Sequence, residues 1–175
     1  MSEITLGAGC FWCIEACFKE VNGIISVKSG YSNGHHPNPT YKEVCTGTTG
    51  HNEVARIVYD ESVISLNEIL KIFFFVHDPT QLNRQGNDIG TQYRSAIYYH
   101  TADQKEFAEN IISELTKNHV WEKAIVTEVL PIENYHEAED YHQDYLEFNP
   151  ENAYCKAIVR PKVDKFKAVF ADFLK

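Results

Sequence analysis

Gly9-Cys10-Phe11-Trp12-Cys13 sets two thiols around a pair of aromatic rings, directly after the small, apolar run Ile4–Ala8 and at the start of a stretch with helical periodicity. A cysteine at a strand-to-helix junction meets unpaired backbone N–H groups and the positive end of the helix dipole, and both favour thiolate over thiol. The adjoining rings suit a small apolar target. Cys10 therefore reads first as a nucleophilic sulfur, with a buried packing residue as the plain alternative. Cys13 adds a dithiol reading, because Cys-x-x-Cys at a helix start is the arrangement of disulfide oxidoreductases and also half of a zinc site. Zinc needs two further ligands, but Cys17, Cys45 and Cys155 stand alone and His35-His36 lack matching spacing. No metal or other cofactor is expected. Phe11 continues the apolar stripe and fits a core, whereas Trp12 lies off the stripe and suits the wall of a site.

Other candidates are weaker one by one. Glu53 follows Gly47–Asn52 at a loop-to-strand junction, where most glutamates are solvated surface groups. Tyr41 and Tyr93 stand in two polar loops, with Asp88 in the second, but ten tyrosines make no single one informative. The acidic stretch Tyr135–His142 lacks the His-Glu-x-x-His spacing of a zinc helix and reads as a solvated helix face.

The elements that must hold these groups follow from periodicity. Phe11, Ile14, Phe18 and Val21 predict a helix over 11–21, stopped by Asn22-Gly23. A strand is expected over Ile24–Tyr31, with Ile25 and Val27 on one face. A polar loop then spans Ser32–Gly50, broken by one turn near Tyr41–Val44, before a strand over Glu53–Tyr59. A capping box of Ser65 with Glu68 opens a helix bearing Leu66, Ile69, Leu70, Phe73 and Phe74. The loop Asn83–Gln92 leads to a strand over Ser95–His100, and a second box, Thr101 with Gln104, opens a helix presenting Phe107, Ile111, Ile112 and Leu115. A strand over Ile125–Leu130, a helix over Tyr135–Leu146 and a last helix opened by Pro161 complete the chain. The order predicts an α+β, two-layer sandwich. Its mostly antiparallel mixed sheet has helices on one face, and a ferredoxin-like, split βαβ core carries C-terminal additions.

The chain of 175 residues reads as a single catalytic domain over 1–175. A formal net charge of −9 without a basic stripe argues against nucleic acid. Met1-Ser2-Glu3 lacks the basic start of a signal peptide, and no run approaches the ~18 apolar residues of a membrane span. Five cysteines cannot form a complete disulfide framework, so a reducing cytoplasm is expected. The chain is expected to be a monomer.

Gly9–Cys13 resembles the Gly-Cys-Phe-Trp signature of the A-type peptide methionine sulfoxide reductases, enzymes that restore oxidised methionine. Gly30–Gly34, Asn38–Tyr41, Val44-Cys45, Thr49–Glu53, Gln85–Ser95, and Asn149-Pro150 with Tyr154-Cys155 resemble family blocks in family order, nearly end to end. The resemblance implies reduction of methionine S-sulfoxide, protein-bound and free. Cys10 would attack the sulfoxide sulfur, with Glu53 as proton donor and Tyr41 and Tyr93 holding the oxygen. Asp88 would orient the site, while Phe11 and Trp12 form the S-methyl pocket. A donor carboxyl must stay protonated near neutral pH, so Glu53 is expected to be buried beside aromatic surface. The family condenses the resulting sulfenic acid with a recycling cysteine, and thioredoxin then reduces the disulfide.

Cys155 matches the usual recycling position. The chain departs from the common pattern at Cys13, where glycine is frequent, and after Cys155, where many relatives have a glycine-rich tail with a further cysteine. Two routes stay open, Cys10–Cys155 through a flexible C-terminal segment and Cys10–Cys13 within one turn; Cys155 is favoured for the first step, with Cys13 able to take part. Cys17 and Cys45 are expected to pack. A thiol-disulfide oxidoreductase using Cys10 and Cys13, or a metal- or redox-sensing thiol module, are the competing readings.

Overall fold

The computed structural model describes residues 1–175. In chain order its elements are β1 (Ser2–Gly7), α1 (Phe11–Phe18), β2 (Ile24–Ser32), α2 (Tyr41–Cys45), β3 (Asn52–Tyr59) and α3 (Leu66–Val76). A small hairpin follows, β4 (Arg84–Gln85) with β5 (Asp88–Ile89), and then β6 (Ala96–Tyr99), α4 (Ala102–Lys117), β7 (Glu128–Pro131), β8 (His136–Glu137), α5 (Tyr145–Phe148) and α6 (Arg160–Val169). Six strands form one sheet in the order β7-β6-β1-β3-β2-β8. All its pairings are antiparallel except β6 with β7, so the fold is α+β with a mixed sheet. No helix is long and apolar enough to cross a membrane.

Strand alternation puts Ile4, Leu6, Ile57 and Ile97 on one face, where they join the buried residues of α1, α3 and α6 in a single core. The other face carries Val54, Ala96 and Tyr98, covered by Ile132 and Tyr135. Helix α1 lies in the middle of this packing. Every residue from Phe11 to Phe18 except Trp12 is buried, and its small side chains, Cys13, Ala16 and Cys17, let neighbours approach closely.

Several expected elements are corrected. Helix α1 stops at Phe18 rather than Val21, because the chain end competes for the segment after it. Val21 bridges to Leu174, Asn22 N donates to Phe173 O, and Lys175 N donates to Glu20 O. A bulge between Ile24 and Ser26 turns Ile24 inward and leaves Ile25 exposed. The Ser65–Glu68 box is complete, but the Thr101–Gln104 box is only half made. The Gln104 carboxamide accepts from His100 N and donates to Glu3 O, pinning α4 to β1 instead of returning to its own cap.

The largest correction is Tyr135–Leu146, where a strand and a 3₁₀ turn over Asp140–His142 stand in place of a continuous helix, and only Tyr145 and Leu146 are α-helical. β8 pairs with the free edge of β2, Gly30 opposite Glu137 and Tyr31 opposite His136, and Gln143 continues that edge by bonding Ser29 N and O through its carboxamide. Left-handed Asn134 and Asp144 bracket the segment and break any helical run. The final helix also begins before Pro161. A π-helical turn over Cys155–Val159 runs directly into α6.

Candidate active site

The end of β1 and the start of α1 are joined by Gly9, whose φ of 86° lies in the left-handed region. A Cβ there would sit 2.8 Å from Gln85 Cβ on the β4–β5 hairpin, so the chain passes the hairpin with no room for a side chain. Gly9→Ala is expected to cost about 1–3 kcal/mol in urea unfolding, and to lower activity further by pushing the hairpin off Cys10. Unchanged stability and rate would show that the junction tolerates a Cβ.

Cys10 is the N-cap of α1 and is 8% exposed. Across from it Glu53, the second residue of β3, is 1% exposed, and its Oε1 accepts from Phe11 N at 3.3 Å. Glu53 thus takes one of the donors that the first turn of α1 leaves free. Its Oε2 has no protein partner. Burial pushes the carboxyl up to about 8; the Phe11 amide opposes this, and Asp88 and Cys13 add to it. At neutral pH Glu53 is an acid with a proton to give.

The thiols differ from the simple helix-dipole expectation. Burial holds the Cys10 thiol well above its ordinary range, with the neighbouring Cys13 thiol and Glu53 adding to the effect. The amide of Trp12 does favour the Cys10 thiolate, but burial outweighs it. The neighbouring Cys10 thiol in turn holds Cys13 lower. Cys155 is fully buried at the first position of the π-helical turn, close enough to Cys13 for the two thiols to repel as anions. It is not in a flexible tail. Cys17 packs in the core, and burial pushes it up to about 12. Cys45 does not pack: it is exposed and hydrogen-bonds with Tyr41.

Tyr41 opens α2 and Tyr93 ends a 3₁₀ turn over Thr91–Tyr93. Burial raises both phenols above their ordinary range, and the charge of Glu53 is the next cause for each, so both enter this site as neutral donors. Phe11 and Trp12 meet a cage of rings. Phe11 stacks with Tyr41 at 6.3 Å, and Trp12 lies flat on Tyr145 at 3.8 Å with an edge contact to Tyr154 at 5.8 Å. Trp12 Nε1 donates to His142 Nδ1 at 3.1 Å. Asp88 accepts from the Tyr154 hydroxyl. A cavity of about 200 Å³ opens on Cys10 between Gln85, Asp88, Tyr154 and Lys162. A larger groove of about 420 Å³ between α3 and α4 contains none of these residues.

The structure therefore brings Cys10, Cys13, Phe11, Trp12, Glu53, Tyr41, Tyr93 and Asp88 to one end of α1, with Cys155 behind Cys13. Tyr154, which bonds Asp88 and edges Trp12, was not among the expected site residues, and neither were three others. His142 is 1% exposed rather than solvated, Tyr145 backs Trp12, and Glu139 holds both Tyr31 OH at 2.7 Å and Tyr41 N at 2.9 Å. The signal for them was the density of Tyr and His between Tyr135 and Tyr154, which a solvated helix has no use for.

Comparison with known proteins places the whole chain. The family model for peptide methionine sulfoxide reductase matches residues 2–173. The peptide methionine sulfoxide reductase MsrA of Saccharolobus solfataricus is 56% identical over 175 residues, covering all of this chain and 98% of the relative. Mxr1 from Saccharomyces cerevisiae in reduced form superposes with a TM-score of 0.82 at 38% identity, over 88% of each chain. Mxr1 in complex with Trx2 superposes with a TM-score of 0.58 at 27% identity, over 82% of this chain and 84% of that one. Placed beside a buried acid, two phenols and a thiol at a helix N-terminus, these matches show that the chain belongs to the peptide methionine sulfoxide reductase family.

Proposed function

We propose that this chain reduces methionine S-sulfoxide, protein-bound and free, with Cys10 as nucleophile, Glu53 as proton donor, and Tyr41 and Tyr93 as donors to the sulfoxide oxygen. The observation that carries the reading is the buried carboxyl of Glu53, kept protonated beside the Cys10 junction with one oxygen unpartnered. A sulfoxide sulfur becomes electrophilic only as its oxygen is neutralised, and a pre-set acid with two neutral phenols supplies that. The Cys10 sulfur bonds to the sulfoxide sulfur as Glu53 protonates the oxygen and takes the thiol proton in return. The hydroxyl then passes to the Cys10 sulfur as the S–O bond and the new sulfur–sulfur bond break, so that thiol and sulfoxide give sulfide and Cys10 sulfenic acid. Asp88 orients the far wall through Tyr154. Phe11 and Trp12 receive the S-methyl group.

For recycling, Cys13 is the thiol in place. It lies within one turn of Cys10 on α1, whereas Cys155 stands on a separate helical turn. Cys13 thiol condenses with the sulfenic acid, forming the Cys10–Cys13 disulfide and water. A dithiol reductant then cleaves it. The relative solved with Trx2 supports thioredoxin in that role. After one equivalent of sulfoxide without reductant, peptide mass spectrometry is expected to find Cys10 linked to Cys13. Cys13→Ser should stall after one thioredoxin-supported turnover, and Cys155→Ser should continue. A Cys10–Cys155 link in the parent protein, with turnover kept in Cys13→Ser, would move the first step to Cys155.

The strand order β6-β1-β3-β2, with α1 and α3 as the crossings, supports reading the core as a ferredoxin-like split βαβ unit with C-terminal additions. Contact between the chain end and the segment after α1 supports one catalytic domain over 1–175, read here as monomeric. Five unpaired thiols suit a reducing cytoplasm.

A further inference from the structure

Glu15 is a buried carboxyl that the reaction does not use. It lies one turn beyond Phe11 on α1 and is 3% exposed. Both of its oxygens accept from the same backbone group, Asp144 N, each at 3.0 Å. Asp144 is left-handed, with φ 53° and ψ 37°, a conformation disfavoured for any residue with a Cβ. Lys19, one turn further along α1, holds the same turn from outside through Asp144 Oδ1 at 3.1 Å and Glu147 Oε2 at 2.9 Å.

What that turn carries explains the clamp. The residue after Asp144 is Tyr145, which lies flat on Trp12 at 3.8 Å. Two residues before it, His142 accepts from Trp12 Nε1. Two of the supports of Trp12 thus hang from one left-handed turn, and the turn is fastened to the helix that bears Trp12. We propose that Glu15 is a positioning residue for the substrate pocket: by gripping the Asp144 amide it fixes the turn that seats His142 and Tyr145 against Trp12. The proposal rests on the reading of Phe11 and Trp12 as the S-methyl pocket.

Electrostatics set a signature. The charged groups facing Glu15 are Lys19 on its own helix, Asp144 on the turn and Lys28 on β2. Burial is the dominant cause and pushes the carboxyl up to about 7, the Asp144 amide opposing it. Ionised, Glu15 offers two strong acceptors to the amide; protonated, it offers a weaker grip. The clamp therefore loosens as pH falls through about 7.

The test compares Glu15→Gln, Glu15→Gln with Asp144→Gly, and Trp12→Ala, using a methionine sulfoxide peptide. Glu15→Gln is expected to raise KM about tenfold, the loss of one charge-assisted bond, while the single-turnover rate at saturating substrate stays within about threefold. In the parent, KM should rise as pH falls through about 7, and in Glu15→Gln that dependence should vanish. In a Trp121→Phe background, Trp12 emission should shift to the red as the ring gains water. Glycine at 144 adopts the left-handed turn without the grip, so the double variant should recover most of the lost KM. It also decides the case if the single variant is too unstable to assay. Unchanged KM and emission in Glu15→Gln overturn the proposal, as does a parallel fall in KM-independent rate and melting temperature that glycine does not relieve. If Trp12→Ala leaves KM unchanged, the pocket reading itself fails; if Trp12→Ala raises KM and Glu15→Gln does not, only the clamp fails.

Discussion

Replacing Glu53 by glutamine is expected to slow sulfenic acid formation in single turnover by about 10²–10⁴-fold, the range supplied by a positioned general acid. Glutamine keeps the volume and can still accept from Phe11 N, so the helix junction stays intact. What it lacks is the proton. The parent should lose rate as pH rises through about 8, where Glu53 ionises, and the variant should lack that descending limb. Above about pH 8, where Glu53 is ionised, its charge holds the Cys10 thiol up, so there Glu53→Gln should alkylate faster with iodoacetamide, while below pH 8 it should reduce sulfoxide more slowly. Opposite shifts separate an acid acting on the substrate oxygen from a group that merely tunes the thiol. An unchanged single-turnover rate removes Glu53 as the acid.

Stability should respond in a related way. The folded-state pKa of Glu53 is raised from 4.5 to about 8, so the stability it contributes is fully present below about 4.5 and is lost as pH rises through 8. Glutamine carries no such dependence, and the variant should melt above the parent on the alkaline side. The acid that serves the reaction is thus held at a cost to the fold, which β3 can bear because Glu53 is flanked by fully buried Asn52 and Val54.

Where the sequence was legible, the information was local. The Ser65–Glu68 box, the apolar face of α3 and the Val- and Ile-rich β3 all appear within a residue or two of their expected bounds. Tyr135–Leu146 misled because its spacing fits a helix, while its true partner is the edge of β2, more than a hundred residues earlier. The same distance hid His142, Tyr145 and Glu15: nothing near them in the chain says that two segments close on Trp12. Cys10 is legible from its strand-to-helix junction, whereas the roles of Glu53, Tyr41 and Tyr93 come from ordered resemblance rather than from periodicity. The ionisation of Cys10 was misjudged because a helix N-terminus is visible in a sequence and the burial that overrides it is not.

Cys10→Ser is expected to abolish reduction altogether, leaving no product from even one equivalent of sulfoxide. The outcome is not trivial, because Cys13 stays in place and its thiol is the one held lower. By ionisation alone Cys13 would be the better nucleophile. Geometry decides otherwise: Glu53 bonds the amide next to Cys10, the cavity opens on Cys10, and Cys13 is only 2% exposed inside α1. A thiolate without the acid and the phenols meets a sulfoxide whose oxygen has nowhere to send its charge. Serine at position 10 offers an oxygen that is far less acidic and forms no sulfenic acid, so nothing substitutes for the missing sulfur. Any stoichiometric reduction by Cys10→Ser would transfer the nucleophile to Cys13, and would mean that thiol acidity, not the placement of Glu53, selects the attacking residue.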